Sequence, residues 1–261
     1  MPSERHPDWL VADGLPAQVR GLMATRAGGV SQGACQGLNL RPVGLPGGTA
    51  DDAAHIRENQ RRFAAALDGA VPVYLNQVHG ADAVRLHRAE LPAAGEHPVA
   101  DASFTTDRGV ACTVLVADCL PVLLAAPDGR GVAAAHAGWR GLAGGVLERT
   151  VTALCEAAAC EPSELSAWLG ACIGPERFEV GEEVRTAFLR QPSHTAERFR
   201  ATSTAGKWWA DLPGLARERL GHLGLHRVGG GQWCTVSEPS RFFSFRRDRD
   251  TGRHAAAIWI I

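Results

Sequence analysis

Short apolar runs are concentrated between residues 71 and 136, and they limit this chain to a fold with a central β-sheet. Such runs are typical of buried strands when turn residues bound them. Segments with helical periodicity lie before and after this region, without strict alternation of strand and helix. The sequence therefore predicts an α/β fold, a layered sandwich of mixed β-sheet and helices. The predicted strands are Val19–Ala24, Val71–Leu75, Ala83–Leu86, Ala111–Val116, Val122–Ala125, Val132–Ala135, Ala167–Leu169 and Ala256–Ile260. The predicted helices are Asp52–Leu67, Leu142–Ala158, Glu182–Leu189 and Leu212–Leu223.

The domain organisation predicted from the sequence is simple. Stretches rich in Gly and Pro at 41–49 and 92–98 are typical of loops rather than of an interdomain linker. With 45% hydrophobic residues among 261, the chain can bury one large core. We therefore predict an N-terminal segment over 1–18, followed by a single domain over 19–261.

Charge and hydropathy exclude several classes of partner. The formal net charge is −1, so the chain lacks the basic excess that nucleic acid or anionic lipid attracts. The longest apolar stretch, Val110–Ala126, contains Asp118 and Pro121 and is too short to span a bilayer. The first residues do not have the pattern of a secretory signal. We expect a cytoplasmic protein with no nucleic-acid or membrane partner.

The cysteines do not form a recognisable framework. There are seven of them, their spacing is scattered, and no C-x-x-C motif occurs. This argues against a set of disulfides and against a structural zinc site with four cysteine ligands. Each cysteine is therefore expected to be a small buried hydrophobic residue unless its neighbours are unusual.

Three polar clusters follow predicted strands, and each one contains a side chain that can bind a metal. They are "NQVHG" at 76–80, "ADCLP" at 117–121 and "HAGWRG" at 136–141, with His79, Cys119 and His136. Imidazole and thiolate are the ligands that zinc prefers, and three protein ligands leave a coordination position open for catalysis. Taken singly, each residue is more often structural, so the spacing alone leaves the question open. Asp118 could orient a ligating imidazole or cap a turn.

Eight motifs, in order, carry a close resemblance to a known family. The chain resembles the multicopper polyphenol oxidoreductases, or laccase-domain proteins, from about residue 20 to the C-terminus. Bacterial members of this family are described as purine nucleoside phosphorylases with adenosine deaminase activity and as peptidoglycan editing factors. The motifs are "TRAGGVS" (25–31), "LNL" (38–40), "NQVHGADAV" (76–84), "ADASFTT" (100–106), "VADCLPVLL" (116–124), "AAHAGWRGLAGGVLERTV" (134–151), "GACIGPERFEVGEEV" (170–184) and "FFSFRRDRDTGRHAAAIWI" (242–260).

The resemblance implies a fold, a metal and a reaction. The fold would be like the catalytic domain of a bacterial glutaminase toxin, and His79, Cys119 and His136 would hold a catalytic Zn²⁺, with Cu²⁺ as the alternative metal. Phosphate would attack the C1′ atom of adenosine, inosine, guanosine or methylthioadenosine, releasing base and pentose 1-phosphate. Adenosine could also be deaminated. The expected partners are small molecules, and the expected assembly is a monomer or a small homo-oligomer.

One position departs from the family pattern. Members often have "ENR" in the helix before "QVHG", and this arginine resembles a phosphate or substrate contact. Gln60 stands in the matching place here, with Arg61 beside it. Glutamine cannot provide the two-pronged contact that guanidinium makes with phosphate. Either Arg61 or another arginine replaces it, or phosphorolysis is weakened. The Gly/Pro-rich loop before this helix also differs from the family's tighter turn.

Further residues are expected to contact the substrate. Arg26 follows a predicted strand and precedes two glycines, whose amides can approach an anion closely. Arg246 is a second candidate anion contact. Asn39 and Gln77 carry amides suited to a purine edge or a ribose hydroxyl. Structural interpretations remain for all four, and they are favoured for Arg140, Arg247, Trp139 and Phe243.

Other functions remain open beside phosphorolysis. A cysteine hydrolase acting on peptidoglycan-precursor-like substrates could use Cys119 as its nucleophile and His136 as the base. A copper-dependent polyphenol oxidase is disfavoured, because no H-x-H pair occurs and Met23 is the only methionine beyond the first. A nucleobase deaminase of the H-x-E and P-C-x-x-C type is excluded. A non-catalytic binding protein would leave the three possible metal ligands unexplained.

Overall fold

Two β-sheets packed face to face form the centre of the protein. The computed structural model describes residues 5–46, 51–93, 95–190 and 194–261. The described strands are β1 (Leu10–Val11), β2 (Val19–Met23), β3 (Val71–Val73), β4 (Ala83–Arg85), β5 (Ala102–Thr105), β6 (Val110–Val116), β7 (Leu120–Ala125), β8 (Val132–Ala137), β9 (Ser166–Leu169), β10 (Glu179–Gly181), β11 (Phe199–Ala201), β12 (Lys207–Ala210), β13 (Arg227–Gly230) and β14 (His254–Ile260). The helices are α1 (Ala53–Ala65), α2 (Trp139–Ala143), α3 (Val146–Ala158), α4 (Glu182–Leu189), α5 (Leu212–His222) and α6 (Phe245–Asp248).

Both large sheets are mixed. One has the strand order β1-β2-β14-β6-β3, with β3 parallel to β6 and the other pairs antiparallel. The other has the order β13-β9-β7-β8-β5-β4, with parallel pairs at its two edges. A small antiparallel sheet contains β10, β12 and β11. Strands β6 and β7 are consecutive in the chain but belong to different sheets. The chain therefore crosses from one sheet to the other between them.

Apolar side chains fill the space between the sheets and the layers outside them. Val114 and Val116 of β6 pack with Leu123 of β7 in the cluster between the two sheets. Helix α1 buries Phe63 against the outer face of the five-stranded sheet. Helix α3 buries Leu154 with its neighbours against the six-stranded sheet. The result is a layered sandwich, so the predicted mixed α/β architecture is confirmed.

The structure corrects one predicted helix and adds strands that the sequence pattern missed. The predicted helix Leu142–Ala158 is interrupted, because Gly145 has a φ of 91°, a left-handed conformation that a continuous helix cannot contain. Strand β5 was missed because Ser103 and Thr105 make it look polar, although both are fully buried. Residues 10–11, in the predicted N-terminal segment, pair with β2. Part of the predicted loop at 41–49 and residue 94 lie outside the described residues.

His254 on β14 should make the stability of the fold depend on pH. Its buried ring stacks on Phe243, and its Nε2 atom accepts a hydrogen bond from the Phe243 backbone N–H at 2.7 Å. Burial lowers the pKa of His254 to about 3, and the charges of nearby arginines lower it further. Acid therefore protonates the unfolded chain before the folded one. The free energy of unfolding should fall as pH decreases below about 6.5, with this histidine contributing up to about 1.4 kcal/mol per pH unit.

Urea unfolding between pH 7 and pH 4 measures this effect. His254→Gln keeps an acceptor for the Phe243 amide but removes the titration, so its stability should vary less steeply with pH. His222→Gln, at an exposed position, is the matched control and should retain the slope of the unmodified protein. An unchanged slope in His254→Gln would contradict the prediction.

Candidate metal centre

The structure brings together the three side chains expected to bind metal. One ligand atom from each of His79, Cys119 and His136 lies within 4.8 Å of the others. The two imidazole rings are 4.9 Å apart between centroids and are nearly perpendicular, at 77°. His136 is buried, Cys119 is partly buried and His79 is exposed, so the cluster lies at the protein surface with one open side. This geometry suits a site that substrates can reach.

Each of the three side chains comes from a different part of the fold. His136 lies on β8, which extends one residue beyond it, whereas the sequence predicted that this strand ended before it. Cys119 lies where the chain crosses from β6 to β7, and His79 lies in the loop after β3. Gly138 allows the side chains of Cys119 and His79 to lie close to the backbone that follows β8. A Cβ atom at this position would be 2.9 Å from Cys119 Sγ and 3.3 Å from His79 Cδ2.

A fully buried carboxylate, Asp101, contacts the side chain of His136 and the backbone of His79. Asp101 Oδ1 lies 2.8 Å from His136 Nδ1 and accepts the backbone N–H of His79 at 3.0 Å. Its Oδ2 atom accepts the backbone N–H groups of Val78 at 3.1 Å and Gly80 at 2.7 Å. These bonds fix the loop in which His79 has a left-handed φ of 61°. Because Nδ1 of His136 is used, Nε2 is the nitrogen that can bind a metal.

Asp118 does not orient a metal ligand, contrary to one of the two roles considered for it. Its Oδ1 atom accepts a hydrogen bond from Thr235 Oγ1 at 2.5 Å, and its Oδ2 atom accepts the Arg246 backbone N–H at 2.6 Å. Asp118 therefore anchors the segment that begins α6. The orienting carboxylate was missed because Asp101 is remote in sequence from His136, in a stretch that looks like an exposed polar strand.

The cluster is electrostatically coupled when no metal is bound. Burial raises the pKa of the Cys119 thiol, but the charge of His136 and hydrogen bonds from both histidines outweigh this and lower it to about 6. Burial lowers the pKa of His136, but the Cys119 charge and the Asp101 hydrogen bond raise it to about 9. Both shifts favour a thiolate at Cys119 beside an imidazolium at His136. A thiolate is the form that binds metal or acts as a nucleophile.

Two cavities flank the cluster and share His79, Ala117, Cys119 and Phe245 in their walls. The first, the basic cavity, has a volume of about 300 Å³, and the second, the aromatic cavity, has a volume of about 280 Å³. The remaining wall of the basic cavity is Arg41, Leu45, Pro46, Leu75, Asn76, Gln77, Leu115, Val116, His136 and Arg253. The remaining wall of the aromatic cavity is Asp118, Trp139, Arg140, Ile173, Phe178, Leu212, Arg246 and Arg249.

Two of the four predicted substrate contacts lie in these cavities. Gln77 lines the basic cavity, but its amide already pairs with the backbone N–H and carbonyl of Leu115, at 2.8 Å each. Arg246 lines the aromatic cavity and donates to the Glu179 carbonyl at 2.9 Å. Its guanidinium lies 5.5 Å from the centroid of the Phe178 ring. Both therefore have structural partners as well as access to the site.

Arg26 and Asn39 are not part of the described lining of either cavity. Arg26 donates to the carbonyls of Gln36 and Pro239, which links two loops. Asn39 is fully buried, and its Oδ1 atom accepts the backbone N–H groups of Arg41 at 3.2 Å and Arg253 at 2.9 Å. Asn39 therefore positions the two arginines of the basic cavity instead of facing it.

Arg41 and Arg253 line the basic cavity, whereas Gln60 and Arg61 are not part of its described lining. Gln60 donates to the Leu40 carbonyl at 3.3 Å, next to Arg41. Arg61 instead pairs with Glu58 on the exposed face of α1, outside the described lining of the basic cavity. Sequence reasoning missed Arg41 and Arg253 because they are far apart in the chain, and the loop at "LNLR" and the start of β14 bring them together.

The sequence favoured structural roles for Arg247, Phe243, Arg140 and Trp139, and each of them makes contacts within the protein. Arg247 donates to the carbonyls of Thr235 and Phe242, at 2.8 Å and 2.9 Å. Phe243 is fully buried and stacks on His254, which confirms the packing role predicted for it. Arg140 lies 4.4 Å from the Trp139 ring centroid, and both of these residues line the aromatic cavity.

Comparisons with known proteins agree over nearly the whole chain. A family model described as "Multi-copper polyphenol oxidoreductase laccase" matches residues 20–261. A purine nucleoside phosphorylase of Pseudomonas aeruginosa is 43% identical over 254 residues, covering 97% of each chain. The purine nucleoside phosphorylase YfiH of Escherichia coli is 44% identical over 256 residues, covering 98% of each. A crystal structure of a Neisseria meningitidis protein is similar with a TM-score of 0.88 and 44% identity, over 97% of this chain and 99% of that one.

Within the described residues, none of the helices has the length and apolar character needed to cross a membrane.

Proposed function

Because this chain belongs to the multicopper polyphenol oxidoreductase laccase family, as its motifs predicted, we propose that it is a zinc-dependent purine nucleoside phosphorylase. The observation that carries the proposal is the cluster of His79, Cys119 and His136 beside a cavity lined by two arginines. The substrates would be adenosine, inosine, guanosine or methylthioadenosine, together with phosphate. Deamination of adenosine would be a second activity of the same site.

The donor set fits zinc. Two imidazoles and a thiolate are typical zinc ligands, and Asp101 fixes the His136 ring as a carboxylate does in many zinc sites. When bound, zinc supplies a Lewis acid that polarises substrate oxygens. Copper binds the same donor types and is the alternative metal, which metal analysis of the purified protein distinguishes.

Phosphate would bind in the basic cavity. Within the described residues, the buried Nε atom of Arg41 has no hydrogen-bond partner, although its Nη2 atom donates to the Pro46 carbonyl. Burial lowers the pKa of Arg253, and the neighbouring charge of Arg41 lowers it further. An anion between the two guanidinium groups would relieve this repulsion and satisfy the unpaired donor.

In the proposed reaction, a phosphate oxygen forms a bond to C1′ of the pentose. The bond between C1′ and the purine nitrogen breaks, and the base leaves with the electron pair. Arg41 and Arg253 hold the incoming anion and offset the charge that spreads over it in the transition state. The site would act on free nucleosides in the cytoplasm, in a monomer or small homo-oligomer.

Release of base from inosine tests the proposal. Zinc-loaded protein should convert inosine and phosphate into equimolar hypoxanthine and ribose 1-phosphate, and omission of phosphate should stop the release. Adenosine assayed without phosphate reports deamination through the appearance of inosine. No phosphate-dependent release from any of the four nucleosides would overturn the phosphorylase proposal.

Substitution of Arg253 should weaken the use of phosphate selectively. Arg253→Gln removes a charged donor from the basic cavity, and a hydrogen bond to a charged group contributes about 1.5–3 kcal/mol. The KM for phosphate should therefore rise about tenfold or more, while the KM for inosine changes little. Steady-state kinetics with each substrate varied separately measure this, and Arg200→Gln, at an exposed position, is the control. An unchanged phosphate KM would remove Arg253 from the proposed anion site.

A cysteine hydrolase is the second candidate, because the metal-free cluster pairs a thiolate with an imidazolium. Cys119 would attack an amide carbonyl in a peptidoglycan-precursor-like substrate, with His136 donating a proton to the leaving amine. The resemblance to bacterial glutaminase toxins is part of this proposal. Hydrolysis by metal-free protein that iodoacetamide abolishes would support it. Activity that rises and falls with zinc content would count against it.

A further inference from the structure

Phe245 is an exposed aromatic residue in the wall that the two cavities share. Its relative exposure is 46%, and it is the first residue of α6. Single exposed apolar side chains are common and need no explanation. This one, however, lines both cavities together with His79 and Cys119. Its position therefore connects it with the chemistry of the site.

Phe245 is held in place by contacts on both sides of it in sequence. The Ser244 side chain caps α6 by accepting the Arg247 backbone N–H at 3.2 Å. The Asp118 carboxylate accepts the Arg246 backbone N–H at 2.6 Å, and Asp118 directly precedes Cys119. The backbone of Phe245 is therefore fixed relative to the metal ligands, although its ring is partly open to solvent.

Arginines from different cavities lie near the Phe245 ring. The guanidinium carbon of Arg249, in the aromatic cavity, is 5.5 Å from the ring centroid. That of Arg253, in the basic cavity, is 5.9 Å away. Phe245 thus lies between an anion site on one side and an aromatic cavity on the other.

Resting on the proposed function, we propose that the purine base occupies the aromatic cavity and stacks on Phe245. Trp139 and Phe178 offer further aromatic surface in this cavity, and a guanidinium already lies over each of those rings. Purine nitrogens accept hydrogen bonds, and arginine side chains donate them. The cavity therefore combines apolar faces with donors, which is what a planar heterocycle with acceptor edges requires.

This arrangement determines how the substrates lie across the site. Phosphate occupies the basic cavity, where Arg41 has an unpaired donor, and the base occupies the aromatic cavity. Because His79 and Cys119 line both cavities, the bond between base and pentose lies beside the metal ligands. The opposite orientation would place the phosphate beside Arg140, Arg246 and Arg249 and leave the unpaired donor of Arg41 facing the base.

Kinetics of Phe245→Ala test the proposal. Stacking of one base on an aromatic side chain contributes enough to change binding about tenfold or more. The KM for inosine should therefore rise at least about tenfold, the KM for phosphate should stay within about twofold, and Phe245→Trp should restore the inosine KM. Leu189→Ala, another exposed apolar position, is the control and should behave like the unmodified protein.

Binding of free hypoxanthine separates failure of this proposal from failure of the proposed function. Equilibrium dialysis with zinc-loaded protein should show a dissociation constant at least about tenfold weaker for Phe245→Ala. If the unmodified protein phosphorolyses inosine while Phe245→Ala changes neither constant, the position of the base is wrong and the function stands. If the variant instead raises the phosphate KM and leaves the inosine KM unchanged, the proposed position of the base is wrong. If phosphorolysis is absent in the unmodified protein, the proposed function fails. In that case, a dissociation constant for hypoxanthine that is the same in Phe245→Ala as in the unmodified protein overturns the base site as well.

Discussion

Cys119→Ala is expected to abolish phosphate-dependent release of purine base, lowering kcat/KM for inosine by at least about a thousandfold. The substitution removes the thiolate, one of only three protein ligands in the cluster within the described residues. Two imidazoles alone bind zinc much more weakly than a three-ligand site. Zinc content, measured by mass spectrometry after dialysis, should fall together with activity. Cys160→Ala, at a partly buried cysteine outside the described cavity linings, is the control and should retain both.

The combination of zinc content and activity distinguishes the two candidate functions. Loss of both in Cys119→Ala supports a metal ligand. Full retention of zinc with loss of activity would instead indicate that the thiolate acts as a nucleophile. Retention of both would remove Cys119 from the site altogether. A thermal melt of each variant checks that the fold has survived, because Cys119 lies where the chain crosses between the two sheets.

The spacing of His79, Cys119 and His136 alone left a metal site open, and the resemblance of their motifs to the family pattern is what predicted the cluster. "QVHG", "ADC" and "HAGWRG" each place one ligand at or after the end of an apolar run, but the strands that these runs form belong to two different sheets. Apolar periodicity predicted eight of the eleven strands of the two large sheets and missed β1, β5 and β13. It could not predict that the strands flanking Cys119 belong to different sheets, because a change of sheet depends on packing partners that are remote in sequence.

Asp101, Arg41 and Arg253 could not be predicted as parts of the site, because their partners are remote in sequence. Asp101 is recognisable as a functional residue only when its contacts with His136 and the loop at 78–80 are known. In the sequence, nothing distinguishes Arg41 and Arg253 from other arginines in loops. Their proximity is visible only in the structure, where Asn39 accepts hydrogen bonds from the backbone of both. Arg26, in a motif suited to anion binding, donates to the carbonyls of Gln36 and Pro239, and its contact with substrate stays a prediction.

Asp101→Asn is the second substitution with a large expected effect, because one side chain supports both His79 and His136. The carboxylate oxygens of Asp101 face four N–H groups, two at each oxygen. An asparagine amide can accept at one oxygen only, and its NH₂ group would face two donors. Each unsatisfied buried donor costs about 1–3 kcal/mol, so we expect a loss of roughly 3 kcal/mol in the free energy of unfolding of the metal-free protein.

Zinc affinity should fall as well, by about 10- to 100-fold, because the ring of His136 loses the carboxylate that orients it and makes it more basic. Competition with a chelator measures the affinity, and urea unfolding without metal measures the stability. Asp82→Asn is the matched control, since its exposed pairing with Arg149 contributes at most about 1 kcal/mol. A variant that is destabilised but binds zinc normally would show that Asp101 supports only the loop at 78–80. A variant equal to Asp82→Asn in both measurements would contradict the geometry on which the candidate metal centre depends.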